Sequence, residues 1–138
     1  MRFPYHGAGI GLICDGRILL GKRSDRPFYG RWCVPGGCRE KTDASELETA
    51  IREFSEETGV DFSSLDYKPV GRWKLRLPFF SWCTFFFVIP DFKASFNLDE
   101  FSEAEWVPLD EVGKKKHLRP FTKSEVRCLL KLLRSQQA

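Results

Sequence analysis

Between Gly37 and Gly59 the chain carries a segment that can satisfy its own pattern in one way only, as a helix with an apolar stripe beside an acidic ridge. Leu47, Ala50, Ile51 and Phe54 recur at i, i+3, i+4 and i+7, the spacing of a helix face turned to a core. Ser45 and Glu48 fit a capping box at the start, and Asp43 with Glu46 offers a competing start two residues earlier. Gly59 is a natural stop, because glycine accepts the left-handed conformation that closes a helix. With Leu47 set at zero on the helical wheel, Glu53, Glu46 and Glu57 fall at about 240°, 260° and 280°, with Glu56 beside them at about 180°. Glu53 is an i, i+3 neighbour of Glu56 and an i, i+4 neighbour of Glu57, and like charges at that spacing destabilise a bare helix. The arrangement makes sense with a cation among them. Mg²⁺, a hard ion that takes oxygen ligands and phosphate, is the expected occupant, with Mn²⁺ as a substitute. The tight Pro35-Gly36-Gly37 loop before the helix suits a phosphate chain held against that metal.

The rest of the chain reads mostly as strands. Ala8 to Cys14 is a small apolar run, and Asp15-Gly16 is a two-residue hairpin turn leading to a returning strand, Arg17 to Lys22. Ser24 to Gly30 is a loop, and Arg31 to Val34 a short strand that runs into the glycines. Lys68 to Arg76 and Trp82 to Ile89 are further strands, Asp91 to Glu105 an acidic loop, and Trp106-Val107-Pro108 a strand end. Thr122 with Glu125 caps a last helix, whose Val126, Leu129, Leu130 and Leu133 face the core. Strands with one helix mid-chain and one at the end predict an α+β fold, a mixed β-sheet between helices, in a single domain over 1–138.

Bulk properties narrow the function. A content of 42% hydrophobic and 30% charged residues is that of an ordinary globular protein. A net charge of +3 suits an anionic small molecule and is no argument for nucleic acid. Cys14, Cys33, Cys38, Cys83 and Cys128 are odd in number and form no Cys-x-x-Cys pair, which predicts reduced thiols and a cytoplasmic location. No signal core opens the chain, and the apolar stretch Phe79 to Ile89 is too short to span a bilayer, so no membrane partner is expected. His6 and His117 are isolated and do not suggest zinc. Trp32, Trp73, Phe80 and Trp82 are read as core aromatics before base-stacking ones.

Pro35-Gly36-Gly37, Asp43 and Arg52-Glu53-Phe54-Ser55-Glu56-Glu57-Thr58-Gly59-Val60 together resemble the box of the Nudix (MutT-like) hydrolases. The resemblance implies an α/β/α sandwich and cleavage of a nucleoside diphosphate linked to another group X. It implies that Glu53 and Glu57 bind metal, that Glu56 binds metal or acts as base, that the Gly37 carbonyl is a backbone ligand, and that Arg52 orients a glutamate by ion pairing. The chain departs from the family pattern by one extra residue between Asp43 and Arg52, and by Asp in place of Glu. Either Asp43 or Glu46 is expected to supply the missing carboxylate, since Ala44 cannot ligate. The general base is Glu56 or a glutamate of the later acidic segment, Glu100 or Glu103. Lys22, Arg23 and Arg26 are candidates for holding phosphates. Leu19 to Pro27 with Gly30 to Gly37 is further similar to the GDP-mannose mannosyl hydrolase branch, where an arginine matching Arg23 and another just after the glycines contact the substrate; here Cys38 follows Gly37, with Arg39 one further. That branch attacks at carbon. The intact Arg-Glu-x-x-Glu-Glu favours attack at phosphorus, by a Mg²⁺-dependent pyrophosphohydrolase that takes a small nucleotide and acts as a monomer or homodimer. The alternatives are a nucleotide-sugar hydrolase and a non-catalytic nucleotide-binding module.

Overall fold

A computed structural model describes residues 4–24, 28–91 and 101–137. Its seven strands are β1 (Tyr5–Cys14), β2 (Arg17–Arg23), β3 (Trp32–Cys33), β4 (Gly36–Cys38), β5 (Lys68–Leu77), β6 (Phe80–Val88) and β7 (Phe101–Pro108). Two helices, α1 (Glu46–Thr58) and α2 (Thr122–Gln137), cover them. The strands form one sheet in the order β3-β2-β1-β6-β5, with β4 also paired to β1 and β7 to β2. β1 and β6 run parallel from Tyr5↔Phe80 to Ile13↔Val88, and the other pairings are antiparallel, so the sheet is mixed as expected.

The hairpin is where the sequence puts it. Asp15 and Gly16 both take positive φ, 55° and 70°, the twist that matches right-handed strands. Alternation along β1 then builds the layers. Ala8, Ile10 and Leu12 face α1, where they pack with Ala50 and Phe54. Gly7, Gly9 and Gly11 face the other way, and a Cβ at Gly7 would come within 2.8 Å of the Trp82 ring. Their bare backbone lets Trp82 and Phe86 lie flat on the strand, beneath Val126 and Leu129 of α2.

The structure corrects several expectations about the elements. The glycine loop is itself a strand: Gly36–Cys38 pairs with Gly7–Gly9, and the preceding strand shrinks to Trp32–Cys33. The acidic segment does not stay a loop to Glu105, since β7 begins at Phe101 and pairs along the whole of β2. Sheet pairing decides both, and no local signal announces it. Helix α1 is rolled by about 45° toward its acidic ridge, which buries Thr49, Ala50, Phe54, Glu57 and Thr58 and leaves Leu47 37% exposed. In α2, Val126 and Leu129 are buried but Leu130 is 36% exposed, and Glu125 does not cap: it turns inward to Arg119.

Candidate active site

Helix α1 starts and stops as its sequence predicts. The Ser45 hydroxyl accepts from the Glu48 amide at 3.1 Å, and the Glu48 carboxylate accepts from the Ala44 amide at 3.1 Å. Gly59 closes the helix at φ 73°, its N–H donating to the Ser55 carbonyl. The cap at Ser45 releases Asp43 from the competing start and leaves it available for another partner.

That partner is Arg52. Its Nε donates to Asp43 Oδ1 at 3.0 Å and its Nη2 to Asp43 Oδ2 at 2.9 Å, a two-pronged clamp. Nη2 also reaches the Cys38 carbonyl at 3.0 Å, while Nη1 reaches Glu53 at 3.0 Å and Glu56 at 3.3 Å. Asp43, with a side chain only 2% exposed, accepts further from the Thr49 hydroxyl at 2.8 Å and the Glu40 amide at 2.9 Å. These bonds, Arg52's first, outweigh the cost of burial and hold the Asp43 carboxyl well below the usual carboxylate range. Arg52 is pushed up in return, chiefly by Asp43. The residue missed by the sequence reading is Thr49, whose polar side chain on an inward helix position was the available signal. The roles of the Cys38 carbonyl and the Glu40 amide lie in the backbone and leave no trace in side-chain type.

The glutamate ridge meets the glycine strand. Glu53 lies so close to Gly37 that a Cβ there would sit 2.5 Å from its carboxyl carbon. Glu57 is fully buried, and its Oε2 accepts from the Gly36 amide at 3.3 Å. Glu56 remains exposed beside them. Beneath the strand, the 7%-exposed Arg23 donates from Nη1 to the Gly36 carbonyl at 3.2 Å. Burial works against its charge, but Cys33, Glu57 and Tyr5 outweigh it and raise Arg23 above its ordinary value.

Other candidates fall elsewhere. Asp43, one of the two candidates for the missing carboxylate, bonds to Arg52 through Oδ1 and to Arg52, Thr49 and the Glu40 amide through Oδ2. Glu46, the other candidate, pairs with Lys74 at 2.7 Å and sits two turns, about 10 Å of helix axis, from Glu53. Arg23, a candidate for holding phosphates, faces inward under the glycines and donates to the Gly36 carbonyl. Lys22 stands opposite Glu103 across β2 and β7, 3.9 Å away, and both are solvent-facing. Arg39 is exposed on the wall of a separate cavity. Arg26 and Glu100 lie outside the described residues.

The donors along the ridge are all oxygen. A carboxylate buried as completely as Glu57, and a glycine whose hydrogen makes room for Glu53, are the fittings a small hard cation needs. Among the described residues no three acidic, His or Cys side chains already converge on one point, since the glutamates are turned to Arg52 and to Gly36. The carboxylates of Glu53, Glu56 and Glu57 and the Gly37 carbonyl suit such an ion in donor type.

A family model described as the NUDIX domain matches residues 4–128. The chain is 32% identical, over 71% of its length and 40% of the relative's, to the ADPR responsive transcriptional repressor NtrR of Acinetobacter baylyi. It is 46% identical to the ADP-ribose pyrophosphatase of Methanocaldococcus jannaschii over 33% of this chain and 27% of that protein. It spans 25% to 44% of the length of the curated relatives it matches. Among solved structures, the Nudix hydrolase RenU of M. smegmatis superimposes with a TM-score of 0.76 at 18% identity, covering 96% of this chain and 87% of that one, a likeness of fold. No helix among the described residues is long and apolar enough to cross a membrane.

Proposed function

The chain belongs to the Nudix family, and from that premise we propose that it is a divalent-metal-dependent pyrophosphohydrolase. It would cleave a nucleoside diphosphate linked to X into a nucleoside monophosphate and a phosphate-containing product. The observation that carries this reading is the Arg52 guanidinium, which gathers Glu53 and Glu56 beside Gly37 while Asp43 anchors it from behind. Glu53, Glu57, Glu56 and the Gly37 carbonyl would hold the metal, with Mg²⁺ the first choice and Mn²⁺ second. A divalent ion in such a site supplies charge neutralisation on phosphoryl oxygens and a more acidic water.

The chain's own residues do the rest. Asp43 and Arg52 keep the ridge aimed at the glycine strand, and Arg23 pins that strand from below. Glu56, 51% exposed and paired with Arg52 at 3.3 Å, would exchange that pairing for the attacking water and accept its proton. Glu103, 61% exposed across from Lys22, is the second candidate for that role.

ADP-ribose is the first substrate to try, because a relative named for hydrolysing it and one named for responding to it both resemble this chain. Nucleoside triphosphates, dinucleoside polyphosphates and nucleotide sugars complete the panel. Metal-dependent release of a monophosphate, lost in Glu53→Gln and in Glu57→Gln, is the expected result. Silence over the whole panel, with ligands still raising the melting temperature, would turn the reading to a nucleotide-binding module, the role the repressor's name suggests.

A further inference from the structure

A second cavity, of about 490 Å³, opens between the N-terminal half of α1 and the β5–β6 hairpin. None of Glu53, Glu56 or Glu57 lines it. Its size falls within the range of about 300–1,000 Å³ typical of small-ligand sites. Its walls are cationic. Lys74 and Arg76 alternate on β5, two residues and so about 6.7 Å apart on one face. Arg39 faces them from the chain just beyond β4. His6 and Ser81 supply polar groups on the floor, with Nδ1 and Oγ 2.7 Å apart.

The charges are poised for an anion. Arg39 and Arg76 have no ion-pair partner among the described residues. The one carboxylate on the wall, Glu46, sits 2.7 Å from the Lys74 ammonium, in the position an incoming anionic oxygen would take. Two guanidinium forks and an ammonium around a cavity of this size suit a tetrahedral, multiply charged group better than a single carboxylate. We propose that this cavity binds the phosphate of a small phosphate monoester, at a site separate from the glutamate ridge. The two sites share a frame. Thr49, on the cavity wall, bonds to Asp43, and Asp43 clamps Arg52. Arg39 follows Cys38, whose carbonyl accepts from Arg52. The hydrolysis proposed above releases phosphate monoesters, which makes product binding the natural use, but the site itself stands without that reading.

The test is calorimetry on the full chain in metal-free, low-salt buffer, where the ridge has no cation to recruit phosphate. The ligands are inorganic phosphate, adenosine monophosphate and ribose 5-phosphate, with adenosine as the uncharged control. At least one phosphate should bind and adenosine should not. If the two esters bind more tightly than inorganic phosphate, the cavity reads the organic part as well; equal affinity of all three assigns recognition to the phosphate alone, and both support the site. Arg39→Ala and Arg76→Ala should each weaken binding tenfold or more, and Glu53→Gln should leave it within twofold. Glu46→Gln, which frees Lys74, should tighten binding severalfold, a gain that a damaged fold does not give. Absence of binding by every phosphate, full binding in both arginine variants, or its loss in Glu53→Gln would overturn the proposal.

Discussion

Asp43 shows how one side chain's role is set by its partners. With both oxygens bonded, one to Arg52 and the other to Arg52, Thr49 and the Glu40 amide, it works as a fixed counter-charge and positions Arg52. Its folded-state carboxyl is lowered, so its stabilisation is present above the unfolded carboxylate value of about 3.9 and is lost as pH falls below that toward the folded value. Breaking a buried pair by removing one partner costs about 3–5 kcal/mol. Arg52 keeps Glu53 and Glu56, so Asp43→Asn should fall at about 3 kcal/mol, the low end of that range. Urea melts at pH 7 and pH 3 check it: the gap between wild type and variant should narrow in acid, and a gap independent of pH would refute the assignment. Gly37→Ala is the companion test at the ridge. The new methyl meets the flexible end of Glu53, so the melting temperature should move by only a few degrees while turnover drops at least tenfold.

Helix α1 divides its apolar stripe unevenly. Phe54 is fully buried between the sheet and Phe62, whereas Leu47, equally placed on the sequence stripe, is left at the surface. Phe54→Ala should therefore cost about 3–5 kcal/mol, and Leu47→Lys should stay within about 0.5 kcal/mol. Denaturant midpoints distinguish them, and equal costs would mean the helix is not rolled as described. The roll has a reason: Glu57 is drawn down to the Gly36 amide, and the helix turns its ridge toward the strand to let it reach. The ends of α1 were readable in advance because a cap bond and a left-handed glycine involve only residues a few positions apart. The ridge was readable for the same reason.

Across the whole molecule, the sheet is held to α2 by a buried polar chain. Arg119 donates to Glu125 at 2.6 Å, and its guanidinium lies 4.3 Å from the ring centres of both Trp82 and Phe121. Thr84 accepts from the Trp82 indole and donates to Glu125. Glu125→Ala would strand Arg119, 2% exposed, and should cost about 3–5 kcal/mol by equilibrium unfolding, far more than exposed Glu111→Ala. Metal removal should act differently. The ridge glutamates are held by Arg52 and by Gly36 without a cation, so chelation should abolish turnover while leaving the far-UV dichroism and the melting temperature nearly unchanged. Unfolding on chelation would show the metal to be structural.

The amino-acid sequence by itself determined the hairpin at Asp15-Gly16, the limits of α1 and its row of glutamates, because each rests on spacing within a turn or two of chain. The tertiary structure decided what depends on distant partners. It set Asp43 against Arg52 and Glu46 against Lys74 on β5. It made a strand of Gly36–Cys38, because β1 offered an edge stripped of side chains. It turned Arg23 inward to the Gly36 carbonyl and Glu125 inward to Arg119. A charged side chain leaves water only where a partner is already in place, and the position of that partner is a property of the folded chain.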